Sequence, residues 1–322
     1  MRACHWQKGK ESVMTTSAYR RPAWSIWIKV KRCKYLYIML LIPVIYYVVF
    51  HYAPMYGVTI AFKKFNARQG ILGSPWVGLK HFEKFLGDEY FWQVVGNTLI
   101  INMMDLILGF PAPIILALLL NEVRSSRFKR TVQTISYLPH FLSTMVVCGM
   151  LTNFLARDGL VNDIVALFGG ERSALLSSPE LFRWIYVFSG IWQGVGWGAI
   201  IYLAALSGVN MELYEVAALD GANRWQQIWN ITLPSIAGVI SIQLILRCGS
   251  LLGSNTDKIL LLYNSYTMPV ADQIGTYVYR RGLLENSTSY STAVGLFNSL
   301  VGMVMLVSVN FLSRKISETS LF

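Results

Sequence analysis

The chain has 322 residues, 54% of them hydrophobic and only 14% charged, whereas a soluble domain carries about a quarter charged residues, so the composition excludes an ordinary soluble enzyme and indicates an integral membrane protein. The net charge of +11 does not indicate nucleic acid, because the bases lie in short flanks of apolar runs and form no separate basic domain. Their placement suits orientation in a bilayer.

A bilayer core of about 30 Å takes roughly 20 apolar residues of helix to cross. Six stretches meet or approach that length, approximately 35–53, 94–120, 131–155, 184–206, 235–254 and 291–312. The fifth is the weakest, since Gln243 and Arg247 interrupt it. Ahead of the first lie Arg2, Lys8, Lys10, Arg20, Arg21, Lys29, Lys31, Arg32 and Lys34 against the acid Glu11, which places residues 1–34 in the cytosol as a basic tail. A leader this long, with no small-residue cleavage site after the apolar run, reads as a retained helix and not as a signal peptide.

Six crossings then put NEVRSSRFKR (121–130) in the cytosol, where its bases obey the same rule, as do Arg314 and Lys315 in the closing tail, 314–322. The membrane-spanning body is 35–313. Three outer segments, roughly 54–93, 156–183 and 255–290, are long enough for short helices; in DGLVNDIVALFGG, Leu160, Ile164 and Leu167 recur at helical spacing before a Gly-Gly stop. Cysteines 4, 33, 148 and 248 show neither a disulfide framework nor zinc spacing.

The exception to the charge rule is ELYEVAALDGANRWQQIWNITLP, residues 212–234, an inner loop in which Glu212, Glu215 and Asp220 outnumber Arg224. Glu212 to Leu219 are good helix formers, Asp220-Gly221 supplies turn chemistry, and Ala222 to Ile231 resumes a helix with Trp225, Ile228 and Trp229 on one stripe. Pro234 opens the next membrane helix. The expected shape is two short helices at a sharp angle on the inner face. A loop lying on anionic headgroups would carry bases, so an acidic one reads as a protein docking element.

At these residues the chain resembles a known family. Glu215-Val216-Ala217, then Gly221, and Ile231, Leu233 and Pro234 beyond it, are similar to the EAA motif of ABC importer permeases, in the form EAA, three residues, G, nine residues, I, one residue, L, P. The departure is Val216 in place of Ala. WVGLKHFEKFL (76–86), NTL (97–99), YLPHFLS (137–143), TYVYRRGL (276–283) and YSTAVGLFNSLVGM (290–303) resemble the branch that imports complex oligosaccharides.

The resemblance implies an all-α integral membrane protein of the type I ABC importer permease fold, with six transmembrane helices and both termini cytosolic, in the bacterial cytoplasmic (inner) membrane. It also implies that 212–234 is the coupling helix of an oligosaccharide importer, seated in a cleft of an ATP-hydrolysing subunit. Glu215 offers a carboxylate, Ala217 and Ala218 keep the surface slim, Gly221 permits the turn, and Asp220, Ile231, Leu233 and Pro234 complete the motif. No phosphate loop of the form G-x-x-x-x-G-K-[ST] occurs in the sequence. No cofactor is therefore expected in this chain, ATP and Mg being bound by partner subunits. The implied partners are a second homologous permease, two ATP-binding cassette subunits, an extracytoplasmic solute-binding protein, the oligosaccharide and membrane lipid.

For the substrate pathway the sequence offers Trp192, Gln193, Trp197, Arg247, Asn255 and Asn298. A charged residue at membrane depth needs a reason. Arg247 is either a cation that binds a sugar hydroxyl or uronate carboxylate, or a structural partner of Asp105 or of the second permease. Flat Trp rings suit sugar faces and Gln suits hydroxyls, while Trp also serves packing and interfacial belts. Asn97, Asn102, Asn255 and Asn298 also fit the common role of bonding across helices, and His51 and His140 read as packed or solvated. Gly190, Gly194 and Gly198 form a small-residue face for close helix approach. Arg247, Arg280 and Arg281 favour an acidic, uronate-bearing oligosaccharide. The competing class is an ion-coupled secondary transporter, for which Asp105 is the available buried acid. A membrane-embedded enzyme lacks the G-x-S-x-G, H-E-x-x-H or paired-carboxylate patterns.

Overall fold

Lipid offers no partner to a backbone N–H or C=O, so a chain of this composition must satisfy its peptide groups within helices. The computed structural model describes Lys31, residues 34–253 and residues 255–317, the side chains of 312–317 excepted. Among the described residues there is no strand, only an isolated bridge between Lys63 and Trp76. Most of the basic tail, with Cys4 and Cys33, and residues 318–322 lie outside the described residues.

Five helices are long and apolar enough to cross a bilayer: Lys34–Phe62, Glu89–Glu122, Pro179–Ser207, Arg224–Gly249 and Thr288–Phe311. A bent pair, Ser126–Phe141 with Thr144–Phe154, makes a sixth when taken as one span. The chain divides into two compact units, Met1–Gly57 and Val58–Phe322. In the first, Lys34–Tyr47 is apolar on every side and exposed along its length, the surface of a helix whose solvent is lipid.

In the second unit the helices meet by fit, since lipid removes the hydrophobic drive between them. Ile114 and Ala117 of the second span, Ala199, Tyr202 and Leu206 of the fourth, and Ile236 of the fifth form one buried cluster. Phe85, Phe91, Ile274, Tyr277 and Tyr290 lead another, which joins Lys80–Leu86, the start of the second span, Ile274–Tyr279 and the sixth span. The short helix expected after residue 159 is present as Leu160–Leu167, closed by Gly169 at φ +81°.

The third span corrects the sequence reading. Expected as one helix over 131–155, it breaks at residues 142–143 and turns by 100°. Pro139 sits in a 3-10 turn, Leu138–Phe141, after which Leu142 is extended. Ser143 then caps a new helix by accepting from the Val146 N–H at 3.3 Å. The second span meets a similar problem at Pro111 and Pro113 and solves it differently, with a π-turn over Asp105–Gly109 just before them.

The hairpin carries a second correction. Met211–Leu219 is the first short helix, but the second, Arg224–Gln227, runs through a π-turn, Ile228–Thr232, straight into Leu233–Gly249. The second arm is therefore the N-terminal part of the fifth span, Arg224–Gly249. Pro234 lies inside this helix, where its missing N–H is accommodated beside the π-turn.

Candidate functional site

The break in the third span exposes backbone, and such irregular backbone survives at membrane depth only where protein buries it or a cavity hydrates it. Here it does line a cavity of about 610 Å³, formed by His140, Leu142, Ser143 and Thr144 together with residues of the second, fourth and fifth spans and of the segment after the fifth. Gln193 of the fourth span donates to the Leu142 carbonyl at 3.1 Å, so one freed acceptor is satisfied from the cavity wall.

The sequence candidates divide on this geometry. Gln193, Arg247 and Asn255 line the cavity, with Asn102 and Asp105. Arg247, expected midway along its span, lies in the last turn, where its Nη2 pairs with Asp105 Oδ2. The structure thus contains the Arg247–Asp105 partnership, on a wall where both side chains are partly exposed. Trp197 borders an adjoining pocket with Arg247 and stacks on His140, ring centroids 4.4 Å apart. Trp192 lies outside the lining of either.

Asn298 donates to the Leu252 carbonyl at 3.3 Å and borders a separate pocket beside the sixth span. Asn102 ties down the turn that follows the fifth span, donating to Leu251 and Gly253 carbonyls at 2.7 and 2.9 Å. The glycines separate by neighbour. A Cβ on Gly198 would lie 3.0 Å from Pro113, whereas Gly194 has nothing within 4 Å and faces the cavity. The tightest approach is at Gly196, outside the expected stripe.

Arg280 and Arg281 are already answered by acids. Arg280 Nη2 lies 2.6 Å from Asp272 Oδ2, and Arg281 Nη1 lies 2.7 Å from Glu285 Oε2. Asp272, 1% exposed, also accepts from Tyr90 at 2.7 Å and Thr276 at 2.6 Å. The Asp272 partnership raises the Arg280 pKa against the opposing effect of burial.

The residue that sequence reasoning missed is Lys258, on the short helix Thr256–Leu262. It lines the cavity while only 4% exposed, and donates from Nζ to the Tyr186 carbonyl at 2.8 Å. Burial pushes its ammonium down to about 8. The available signal was a lone base beside ILLL, which a reading by membrane spans assigns to a loop.

Ahead of the fifth span, the hairpin turn follows from its residues. Gly221, at φ +80°, donates to the Ala218 carbonyl at 3.1 Å, and Ala222 to that of Ala217 at 2.8 Å. This is the paired closure that a left-handed glycine gives a helix end. Asn223 and Gln226 then form a capping box. Tyr214 and Thr232 hydroxyls lie 2.9 Å apart across the two arms, and Arg224 reaches Glu122 of the second span at 3.1 Å. Glu215, Ala218 and Asp220 are left exposed, with Leu219 at 88%, while Ala217, Ile231 and Leu233 are half-buried. Trp225 and Trp229, expected as an apolar stripe, are 72% and 67% exposed.

Residues 109–318 match the family described as "Binding-protein-dependent transport system inner membrane component". The chain belongs to this family. It is 44% identical, over 92% of both chains, to the polygalacturonan/rhamnogalacturonan transport system permease protein YteP of Bacillus subtilis (strain 168). It is 43% identical to Protein LplB of the same organism, over 91% of this chain and 92% of that one. A crystal structure of a bacterial ABC transporter involved in the import of the acidic polysaccharide alginate superposes with a TM-score of 0.85, at 41% identity over 91% of this chain and 99% of that chain. This family member is therefore a multi-pass inner-membrane permease of the ABC importer class. The ion-coupled class is not favoured.

Proposed function

We propose that this permease passes an acidic, uronate-bearing oligosaccharide through the cavity at the break of the third span. The observation that carries the reading is the cavity itself: about 610 Å³, polar, and lined by Asn102, Gln193, Asn255 and the Arg247–Asp105 pair. Amide side chains suit sugar hydroxyls, and a guanidinium suits a carboxylate. The acidic cargo of the alginate importer and the polygalacturonan/rhamnogalacturonan system of YteP support the same class.

In this reading an extracytoplasmic binding protein delivers the sugar, and a second homologous permease supplies the other half of the pathway. The crystal structure of the alginate ABC transporter in complex with an alginate pentasaccharide-bound periplasmic protein supports the first of these partners. ATP and Mg are bound by two ATPase subunits, this chain bringing no ATPase site of its own. The hairpin 212–234 seats in one ATPase subunit through Glu215, Ala217, Ala218 and Asp220, with its shape fixed by Gly221 and its base by Ile231, Leu233 and Pro234. ATP-driven closure of the ATPases moves the hairpin and opens the cavity outward, and hydrolysis resets it.

The test is co-purification with the neighbouring gene products and ATPase assay over a panel of oligosaccharides presented on the cognate binding protein. Stimulation by uronate oligosaccharides above their carboxyl-reduced counterparts is expected. Stimulation by neutral sugars alone would remove the acidic reading, and failure to copurify any ATPase would remove the coupling reading.

A further inference from the structure

In the cavity wall the charge of Arg247 is answered within the chain by Asp105. The charge of Lys258 is not. Among the described residues no acid lies within ion-pair distance of it, and its contacts are the Tyr186 carbonyl at 2.8 Å and the face of the Tyr186 ring, 4.5 Å from the centroid. A buried cation without a counter-charge is costly, and an ammonium has three donors where the carbonyl takes one. Beside it the fourth span is bare: a Cβ on Gly190 would lie 3.4 Å from Nζ. Asn102, Gln193 and Asn255 share the same wall.

We propose that Lys258 is a specificity-determining cation of the transport pathway, the group that meets a carboxylate of the cargo as it passes Gly190 and Gln193. The proposal rests on the acidic-oligosaccharide reading above. An entering carboxylate supplies the missing counter-charge and takes a free N–H donor, so acidic sugar gains an interaction here that neutral sugar does not. The titratable groups facing Lys258 are Asp105 and Arg247 from the second and fifth spans, Tyr186 from the fourth, Cys148 and His140 from the two arms of the third. Asp105 favours the protonated form but is committed to Arg247. With the ammonium pushed down to about 8 by burial, recognition of an acid should fade as pH rises through that value.

The experiment uses the assembled importer with its binding protein in liposomes, carrying wild-type chain, Lys258→Met or Lys258→Arg. Uptake is measured for a uronate oligosaccharide and its carboxyl-reduced form across pH. Lys258→Met is expected to raise the KM for uronate cargo about tenfold, the loss of one charge-assisted hydrogen bond, with a much smaller change for the reduced cargo. Lys258→Arg should keep uronate uptake and flatten its pH profile relative to wild type. An equal loss for both cargoes would show Lys258 to be a structural tie between Thr256–Leu262 and the fourth span, and would overturn the proposal, as would an unchanged KM. Should Lys258→Met fail to assemble, the comparison of wild type with Lys258→Arg decides, and identical pH profiles overturn it. Wild type that takes up only the reduced cargo would instead remove the acidic reading itself, a result visible before any variant is made.

Discussion

Gly196 and Ser136 bring the fourth and third spans into backbone contact: a Cβ on Gly196 would run into the Ser136 carbonyl oxygen. That obstacle is backbone, so it cannot swing aside as a side chain end would, and overpacking of this kind costs about 1–3 kcal/mol or more. Gly196→Ala is expected to lower the yield and melting temperature of the detergent-purified complex. Gly194→Ala, which faces open cavity, should purify as wild type. Equal melting temperatures for the three proteins would show that the contact does not hold the spans together.

The hairpin is expected to separate folding from coupling. Glu215 is exposed, so Glu215→Lys should insert and assemble normally yet lose the ATPase stimulation and uptake that the binding protein elicits. Gly221→Val places a β-branched residue at φ +80°, a strain of about 1–2 kcal/mol, and should uncouple through the shape of the turn. Proteoliposomes in which either variant transports at the wild-type rate would argue against seating of this element in a motor.

Much of this was legible in the chain. Apolar length gave the spans, and spacing from Glu215 to Pro234 gave the hairpin, because helix periodicity and turn chemistry are local. What was not legible depended on contacts distant in sequence. Pro139 and Ser143 mark the break in the third span, but a Pro in a membrane helix is often tolerated, and only the Gln193 to Leu142 bond shows that the freed backbone is used. Lys258 looked like a loop base because the residues that enclose it are distant in sequence: its helix packs on Thr144–Phe154, with Cys148 against the Lys258 carbonyl, and Nζ reaches Tyr186, 72 residues away. Arg280 and Arg281 looked like available cations for a different reason: Glu285 stands at i+4 from Arg281, a pairing that a helix through 280–285 makes legible but a loop reading does not, and Asp272 reaches Arg280 only through the fold of the segment between them.

The Arg280–Asp272 pair should prove structural. Asp272 is 1% exposed and receives hydrogen bonds from Tyr90, Thr276 and Arg280. Removing one partner of a buried pair strands the other, a loss of about 3–5 kcal/mol. Arg280→Met is therefore expected to destabilise the purified protein, and the double variant Arg280→Met with Asp272→Asn should recover part of the melting temperature. A double variant no better than the single would show that the cost lies in packing and not in the stranded carboxylate.

Arg247 and Asp105 pose the opposite case, a pair on a cavity wall where 47% and 29% of the side chains remain accessible. Water reaches both, so breaking the pair strands neither charge, and the functional effect should exceed the structural one. Arg247→Ala is expected to reduce uptake of uronate oligosaccharide about tenfold, as loss of a charge-assisted hydrogen bond does, while the carboxyl-reduced sugar is affected much less. Asp105→Asn removes the carboxylate that competes with the cargo for Arg247, and should lower the KM for the acidic sugar. If both variants depress uptake of the two sugars alike, the pair holds the second and fifth spans together and takes no part in recognising the cargo.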